Sequence, residues 1–362
     1  MGNISFIHTA DIHLNLTEKR TEADTQKFIV FNKIIDSCRL FKTDFLLICG
    51  DLFDHPPVLS ELNEVNSLFG KIKPTKVILT AGNHDYMEKG GIYEKFDFEE
   101  NVYFLGRNGY EPDYLFFYEE NIAFCGISYH AANIRENITK AISLPAALKT
   151  VLILHGGEEK YMPFDKKEIL KKGFAYTALG HIHKPEFITD RMAYCGSPQP
   201  LDYTETGVHG FIRGNIYDEK AADGISLIKT YFERCAVKRY EKADICVSAG
   251  MTLSDIRQAV SEYIAENQAD AYSVRLYGTG KEGMIIEPEY IKTAGNIVHI
   301  EDDTVSEYDI AAIKAEHKED IAGIFISNIE NICSERFKND TELRKRIEKL
   351  AVSEGLSLLL GR

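Results

Sequence analysis

Short apolar runs separated by longer amphipathic stretches dominate the first half of the chain. The runs 45–49 (Phe-Leu-Leu-Ile-Cys) and 151–154 (Val-Leu-Ile-Leu) contain no charged residue, which is typical of strands buried on both faces of a sheet. Apolar residues recur near helical period over 22–40 and 59–69. Further strands are predicted at 4–7, 77–80, 122–127 and 176–179. This alternation of strands and helices predicts a layered α/β domain.

The pattern changes in the second half of the chain. Thr252 and Asp255 have the spacing of a helix capping box, and 272–276 alternates as a half-buried strand does. A later helix carries an apolar stripe over 321–333. The predicted segments are a main domain at 1–235, a small α+β domain at 236–303 and a helical C-terminal segment at 304–362.

Five of the six predicted strands of the main domain, all except 122–127, are followed by a cluster of metal-ligand residues. The clusters are Asp11-Ile12-His13, Gly50-Asp51-Leu52-Phe53-Asp54, Gly82-Asn83-His84-Asp85, His155-Gly156-Gly157 and Gly180-His181-Ile182-His183. In a layered α/β domain the carboxyl ends of strands meet at one edge, so we expect these side chains to converge. Mixed oxygen and imidazole donors suit Mn²⁺, Fe²⁺ or Zn²⁺ better than Ca²⁺.

The donors are sufficient for two divalent ions, the arrangement that activates water and clamps a phosphate during hydrolysis. Asp51 is the natural bridge between the two ions. One site is predicted to be completed by Asp11, His13 and His183, and the other by Asn83, His155 and His181.

Composition narrows the class of protein. The net charge of −14 argues against a protein that coats nucleic acid by general electrostatics, but two divalent ions can make a local pocket positive.

The seven cysteines show no paired spacing, so we expect reduced thiols, with Cys49, Cys125 and Cys246 behaving as small core residues. Because we see neither a bilayer-spanning apolar run nor a signal-peptide pattern, we expect a cytoplasmic protein without membrane association.

The five clusters, in this order, closely resemble the calcineurin-like metallophosphoesterase superfamily over roughly residues 4–205. The resemblance implies a β-sandwich core flanked by helices, with the seven residues above as metal ligands. It also implies that His84 contacts the phosphate and assists the leaving group, and that Asp85 orients His84. A hydroxide bridging the two ions, held by Asp51, would attack the phosphorus atom.

Two segments resemble the SbcD-type DNA repair exonucleases more narrowly. These are His8-Thr9-Ala10-Asp11-Ile12-His13-Leu14 and Tyr194-Cys195-Gly196-Ser197-Pro198-Gln199-Pro200-Leu201, the latter followed by Glu205. This resemblance implies a Mn²⁺-dependent exonuclease acting on DNA ends, a homodimer, and an SbcC-like coiled-coil ATPase as partner. The segment 236–303 would then be a capping domain, and 304–362 would bind the partner.

For several residues, and for the function as a whole, the sequence is compatible with more than one interpretation. Asp54 and His55 are candidate substrate contacts; archaeal and eukaryotic relatives carry a histidine at the position of Asp54, whereas Asp-x-x-Asp is usual in bacterial ones. We interpret His8 as a buried, hydrogen-bonded support and Ser197 as a turn residue. The 321–333 stripe packs within its own domain or contributes to a partner groove. The competing functions are a small-molecule phosphodiesterase or phosphatase on the same fold and a scaffold subunit with a weak nuclease centre.

Overall fold

The computed structural model divides the chain into two compact units, Met1–Arg239 and Tyr240–Arg362. Each unit is described separately below. The structure describes residues 3–17, 20–107, 109–145, 149–267, 269–281, 283–308, 310–338 and 340–360.

In the described part of the chain, the first unit is built on twelve strands and four α-helices. The strands are β1 (Ile4–Thr9), β2 (Phe45–Cys49), β3 (Lys76–Thr80), β4 (Val102–Phe104), β5 (Asp113–Phe117), β6 (Ile122–Gly126), β7 (Lys149–His155), β8 (Tyr176–Gly180), β9 (Glu186–Thr189), β10 (Met192–Tyr194), β11 (Gly210–Lys220) and β12 (Ser226–Arg234). The helices are α1 (Glu22–Phe41), α2 (Leu59–Gly70), α3 (Ile92–Lys95) and α4 (Lys166–Lys171), with a short 3₁₀ helix at Ile138–Ala141.

These strands form two six-stranded sheets, in the orders β12-β11-β1-β2-β3-β4 and β5-β6-β7-β8-β10-β9. The central strands β1, β2 and β3 are mutually parallel, as are β6, β7 and β8. Strands β11 and β12 form an antiparallel hairpin beside β1, which the apolar pattern did not predict. All six strands predicted from the sequence in this unit are present.

Strand β2 shows why the unit is a sandwich. All five of its residues are buried, because successive side chains point to opposite faces and both faces are covered. Phe45 and Leu47 join the cluster between the two sheets, with Phe124 and Ile153 of the second sheet. Leu46 and Ile48 join the cluster beneath α1 and α2. The predicted β-sandwich core flanked by helices is therefore confirmed.

Among its described residues, the second unit contains one three-stranded sheet and five helices. The elements are β13 (Tyr240–Val247), α5 (Leu253–Glu266), β14 (Ala271–Gly280), α6 (Pro288–Lys292), β15 (Ile297–Ser306), α7 (Ile310–Glu316), α8 (Ile321–Arg336) and α9 (Thr341–Leu360). The sheet is parallel in the order β13-β14-β15. Thr252 and Asp255 form the predicted capping box of α5. The roles of 236–303 as a capping domain and 304–362 as a partner-binding segment stay predictions.

The apolar stripe on α8 is only partly covered within its own unit. Ile326 and Cys333 are buried, whereas Ile321 and Ile324 are 70% and 53% exposed. None of the helices in the described part of the chain combines the length and apolarity needed to cross a bilayer.

The cysteines are free thiols, as expected. Cys49 and Cys125 are buried in the core. Cys246 is exposed, which corrects the expectation that it would be a core residue: the alternation along β13 turns Ala243, Ile245 and Val247 inward and Cys246 outward.

Candidate metal centre

The predicted ligand residues leave their strands with unusual backbone geometry. Asp11, His13, Asp51 and His181 have φ angles of 52°, 50°, 50° and 92°, in the left-handed region that non-glycine residues seldom occupy. Such conformations cost free energy and persist where the surrounding structure enforces them, commonly at functional sites. The turns at the ends of β1, β2 and β8 therefore direct these side chains inward at the expense of local stability.

Two glycines make room for this convergence. Gly50 has a φ of 82°, and a Cβ atom there would lie 2.5 Å from Nδ1 of His155. A Cβ atom on Gly82 would lie 2.2 Å from Oδ1 of Asp51. Any larger residue would push a predicted ligand out of place.

Asp11, His13 and His183 form the first group of donors, with one ligand atom from each within 4.8 Å of the others. Nε2 of His13 and Nε2 of His183 are 3.3 Å apart, and Oδ1 of Asp11 lies 3.9 Å from Nε2 of His183. This is the first set predicted from the sequence. We call it site A.

Asn83, His155 and His181 form the second group. Oδ1 of Asn83 lies 2.9 Å from Nε2 of His155 and 3.1 Å from Nδ1 of His181. Strands β3, β7 and β8 deliver these three residues from both sheets. We call this set site B.

Asp51 lies between the two sites. Its Oδ2 is 3.2 Å from Nε2 of His155 in site B and 3.8 Å from Nε2 of His13 in site A. Its Oδ1 accepts the backbone N–H of His84 at 2.8 Å, which fixes the carboxylate plane. Burial disfavours ionisation of this carboxyl, but the imidazole of His155 holds its pKa below the ordinary value. The structure thus brings all seven predicted ligands together, with Asp51 in the central position.

This donor set fits two divalent ions. Metal–ligand distances of about 2.0–2.2 Å put neighbouring ligand atoms about 3 Å apart, and the observed separations within the sites begin at 2.9 Å. Because two bare imidazole nitrogens at 3.3 Å repel each other, a proton or a metal ion must lie between Nε2 of His13 and Nε2 of His183. A proton can occupy this position: burial opposes protonation of His183, but its hydrogen bond to Glu205 raises the pKa to about 9. A divalent ion would replace that proton.

Each imidazole has a second partner that sets which nitrogen faces the site. Nδ1–H of His13 donates to Asp54 at 3.2 Å, and Nδ1–H of His155 donates to the carbonyl of Cys49 at 2.8 Å. The two remaining contacts are Nδ1–H of His183 to Oε1 of Glu205 at 2.5 Å and Nε2–H of His181 to Oε2 of Glu158 at 3.2 Å. Metal-binding histidines almost always have such partners.

Sequence reasoning gave no role to Glu158 or Glu205. Glu205 lies beside the second segment that carries the narrower resemblance, which was the available signal. Glu158 follows the His155-Gly156-Gly157 cluster directly, but nothing in its neighbourhood distinguishes it from a surface carboxylate.

Asp85 has different partners from those expected. Its fully buried carboxylate accepts backbone N–H groups from Gly82 and from residues 51–53, and the hydroxyl of Tyr93. Within the described part of the chain, no hydrogen bond joins Asp85 to His84. Asp85 therefore holds the loop that carries Asp51, which corrects the expectation that it orients His84.

Asp54 is the carboxylate beside His84. Nδ1 of His84 lies 3.2 Å from the backbone oxygen of Asp54 and 3.8 Å from its Oδ1. His55 turns away toward its own loop, with Nδ1 3.1 Å from the carbonyl of Pro56 and Nε2 3.7 Å from the buried Glu61. Direct substrate contact by Asp54 or His55 stays a prediction.

A cleft of about 620 Å³ opens over the two sites. His84 lines it together with Asp51 and Asn83, and Tyr161 and Lys184 lie on its wall. The ring of Tyr161 is 4.5 Å from that of His181. The cleft gives a substrate direct access to Asp51, Asn83, His181 and His183.

His8 and Ser197 are both buried. Nε2–H of His8 donates to the carbonyl of Leu179 at 3.2 Å, and Nδ1 accepts the hydroxyl of Tyr176 at 3.0 Å, so His8 joins β1 to β8 across the sandwich. The predicted supporting role of His8 is confirmed. Ser197 contacts Glu205 and His209.

Comparison with known proteins agrees with this geometry. A sequence profile of the family described as calcineurin-like phosphoesterase matches residues 4–210. The chain is 26% identical over 323 residues to the uncharacterized metallophosphoesterase YhaO of Bacillus subtilis, an alignment that covers 80% of this chain and 75% of that protein.

Two further relatives are DNA repair proteins or nucleases by name. Identity is 27% over 281 residues with the DNA double-strand break repair protein Mre11 of Methanopyrus kandleri, covering 69% of this chain and 58% of that protein. It is 23% over 246 residues with the SbcD component of the nuclease SbcCD of Bacillus subtilis, covering 56% and 63%. The chain thus spans less than two thirds of the length of both these relatives.

Proposed function

Because the chain belongs to the calcineurin-like phosphoesterase family, we propose that it is a metal-dependent DNA phosphodiesterase that degrades DNA ends during repair. The observation that carries the proposal is the central position of Asp51, with Oδ2 within 3.2 Å of His155 and 3.8 Å of His13. A carboxylate shared by two donor sets is what two-ion hydrolysis of a phosphate ester requires.

Seven side chains of the protein would hold the two ions. When bound, two divalent ions, which we propose to be Mn²⁺, would supply an activated water and neutralise charge on the phosphate. Asp11, His13 and His183 would hold one ion, Asn83, His155 and His181 the other, and Asp51 both.

His84 has a separate proposed role at the cleft. Its Nδ1–H donates to the carbonyl of Asp54, which leaves Nε2 as the atom that exchanges a proton with the leaving oxygen. The half-exposed ring can therefore reach a bound substrate without serving as a ligand.

Two observations support DNA as the substrate. The names of the Mre11 and SbcCD relatives refer to DNA repair and nuclease activity. The cleft is open and offers Lys184 to a phosphate and the ring of Tyr161 to a base. With a net charge of −14, the chain would need a partner to supply part of the electrostatic grip on DNA.

The test compares end-labelled duplex DNA, single-stranded DNA and a bis-aryl phosphodiester, each incubated with the full chain in Mn²⁺ or in EDTA. Asn83→Ala should abolish hydrolysis, whereas the same substitution at the exposed Asn63 on α2 should leave it unchanged. Mn²⁺-dependent shortening of DNA supports the proposal. Cleavage of the small diester alone favours a small-molecule phosphodiesterase, and no turnover on any substrate favours a scaffold role.

We also propose that the chain is a cytoplasmic homodimer that binds an SbcC-like coiled-coil ATPase through α8. The exposed Ile321 and Ile324 offer an apolar face suited to a partner helix. Ile321→Glu and Ile324→Glu should reduce co-purification with the ATPase. Leu40→Glu, at a 76% exposed position on α1, should leave it unchanged. Equal recovery of all variants would remove α8 from the interface.

A further inference from the structure

Glu205 and the loop 196–205 connect to the metal centre through His183. Oε1 of Glu205 accepts Nδ1–H of His183 at 2.5 Å. Its other oxygen, Oε2, accepts the hydroxyl of Ser197 and the backbone N–H of Leu201, both at 3.0 Å. Both carboxylate oxygens are therefore engaged, and the carboxylate holds a single orientation toward the imidazole.

The loop that carries these contacts is itself anchored. Ser197 is fully buried, and its backbone N–H donates to the carbonyl of His183 at 2.9 Å. Gln199 is also buried, and its Oε1 accepts the N–H of Val237 at 2.9 Å. Such anchoring means that Glu205 is positioned before any ion binds.

His183 needs this support more than the other histidines do. It lies beyond the end of β8, in a segment without regular structure, and its side chain is 28% exposed. The side chains of His13 and His155 are 1% and 0% exposed, so packing alone restrains their rings. Glu158, the partner of His181, is 55% exposed, whereas Glu205 is 17% exposed.

We propose that Glu205 is a positioning residue: it holds His183 with Nε2 facing site A and thereby sets the metal affinity of that site. The loop 196–205 then has a chemical purpose beyond a turn, because Ser197 orients the carboxylate that orients the ligand. The inference rests on the proposed metal-dependent function and adds an asymmetry between the two sites.

The test is a Mn²⁺ titration of the full chain, stripped with EDTA, in which free Mn²⁺ is followed by its electron paramagnetic resonance signal. We expect two sites in the wild type. Glu205→Gln keeps an oxygen for the hydrogen bond but removes the charge, and Glu205→Ala removes both. In each variant we expect one site to weaken by about 10–100-fold while the other is retained. Circular dichroism and thermal unfolding of the stripped proteins should match the wild type.

Two comparison variants sharpen the result. Glu219→Gln makes the same charge change at an exposed position on β11. This position lies past the residue that pairs with Ile4, at the end of β1 opposite the ligands, so the variant should bind both ions normally. Should Glu205→Ala fail to fold, Ser197→Ala removes one hydrogen bond to Glu205 and should weaken the same site to a smaller extent.

Isotherms of both Glu205 variants that superimpose on the wild type would overturn the proposal. So would an equal weakening of both sites. Selective weakening in a protein that cuts no DNA would refute the DNA phosphodiesterase and leave the role of Glu205 standing. DNA cleavage by the wild type, combined with wild-type Mn²⁺ affinity in the Glu205 variants, would support the DNA phosphodiesterase and refute the role of Glu205.

Discussion

Substitution of the buried Asp85 by asparagine tests the structural role of this carboxylate. Oδ1 accepts N–H groups of Gly82 at 2.7 Å and Asp51 at 3.2 Å. Oδ2 accepts those of Leu52 at 3.0 Å and Phe53 at 3.3 Å. The hydroxyl of Tyr93 also donates to Oδ2, at 3.0 Å. One side chain thus satisfies the backbone of the loop that positions the central ligand.

Asparagine keeps one acceptor oxygen and places an amide NH₂ at the other position. Whichever position the NH₂ takes, two backbone N–H groups face a donor, whereas the Tyr93 hydroxyl can rotate and accept. A buried donor without a partner costs about 1–3 kcal/mol. Because one bond of each pair is long, at 3.2 or 3.3 Å, we expect Asp85→Asn to destabilise the first unit by about 2–4 kcal/mol.

Urea unfolding followed by thiol labelling measures this loss. Cys49 is buried at the end of β2, so its labelling, read by mass spectrometry at mildly alkaline pH, reports opening of the sandwich beside Asp51. Tyr93→Phe is the matched control: every backbone N–H keeps its acceptor, and we expect a loss of about 1 kcal/mol. Stability of Asp85→Asn within about 0.5 kcal/mol of wild type would refute this reasoning. Reduced turnover with unchanged stability would instead restore Asp85 as the residue that orients His84.

Three further predictions concern the centre and its support. Asp51→Ala should abolish binding of both ions and all hydrolysis, because Asp51 lies within reach of both sites; two Mn²⁺ retained in a binding titration would contradict its bridging position. His84→Ala should bind both ions but turn over about 10²–10⁴-fold more slowly, as measured in single-turnover assays; loss of an ion would make His84 a ligand. Burial lowers the pKa of His8 to about 3, so the unfolded chain binds the proton first as pH falls below 6.5. Stability should therefore fall by about 2 kcal/mol between pH about 8 and about 5 from this group. His8→Gln should lack that component in urea unfolding followed by circular dichroism, and an equal pH dependence in both proteins would refute the assignment.

Strands buried on both faces could be recognised from the sequence because they leave long apolar runs. Strand β2 was predicted with its observed ends, and α1 within one residue. The hairpin β11–β12 was not predicted, because beyond residue 212 one of its faces is only partly covered and its residues mix polar and apolar types. Helix α9 extends to Leu360, within the segment 304–362 that was predicted to be helical.

The convergence of the predicted metal ligands could be anticipated for a different reason. Their residue types are costly to bury, and they follow directly after buried strands, so their positions along the chain indicate chemistry. Partners that act through a second residue leave no comparable pattern. Glu205 lies 22 residues from His183 along the chain, and Glu158 lies 23 residues from His181. A carboxylate at such a separation is indistinguishable from a surface residue until the fold brings it near.

The sequence by itself therefore determined the layered α/β class, the order of the main elements and the set of candidate ligands, because burial and ligation each restrict residue type at single positions. Tertiary structure decided the left-handed backbone of Asp11 and Asp51, the partners of Asp85, and the contact between Glu205 and His183. These features depend on the direction of a side chain and on distances between remote segments. Residue type and spacing along the chain do not fix such directions and distances, so these features become visible only in the folded chain.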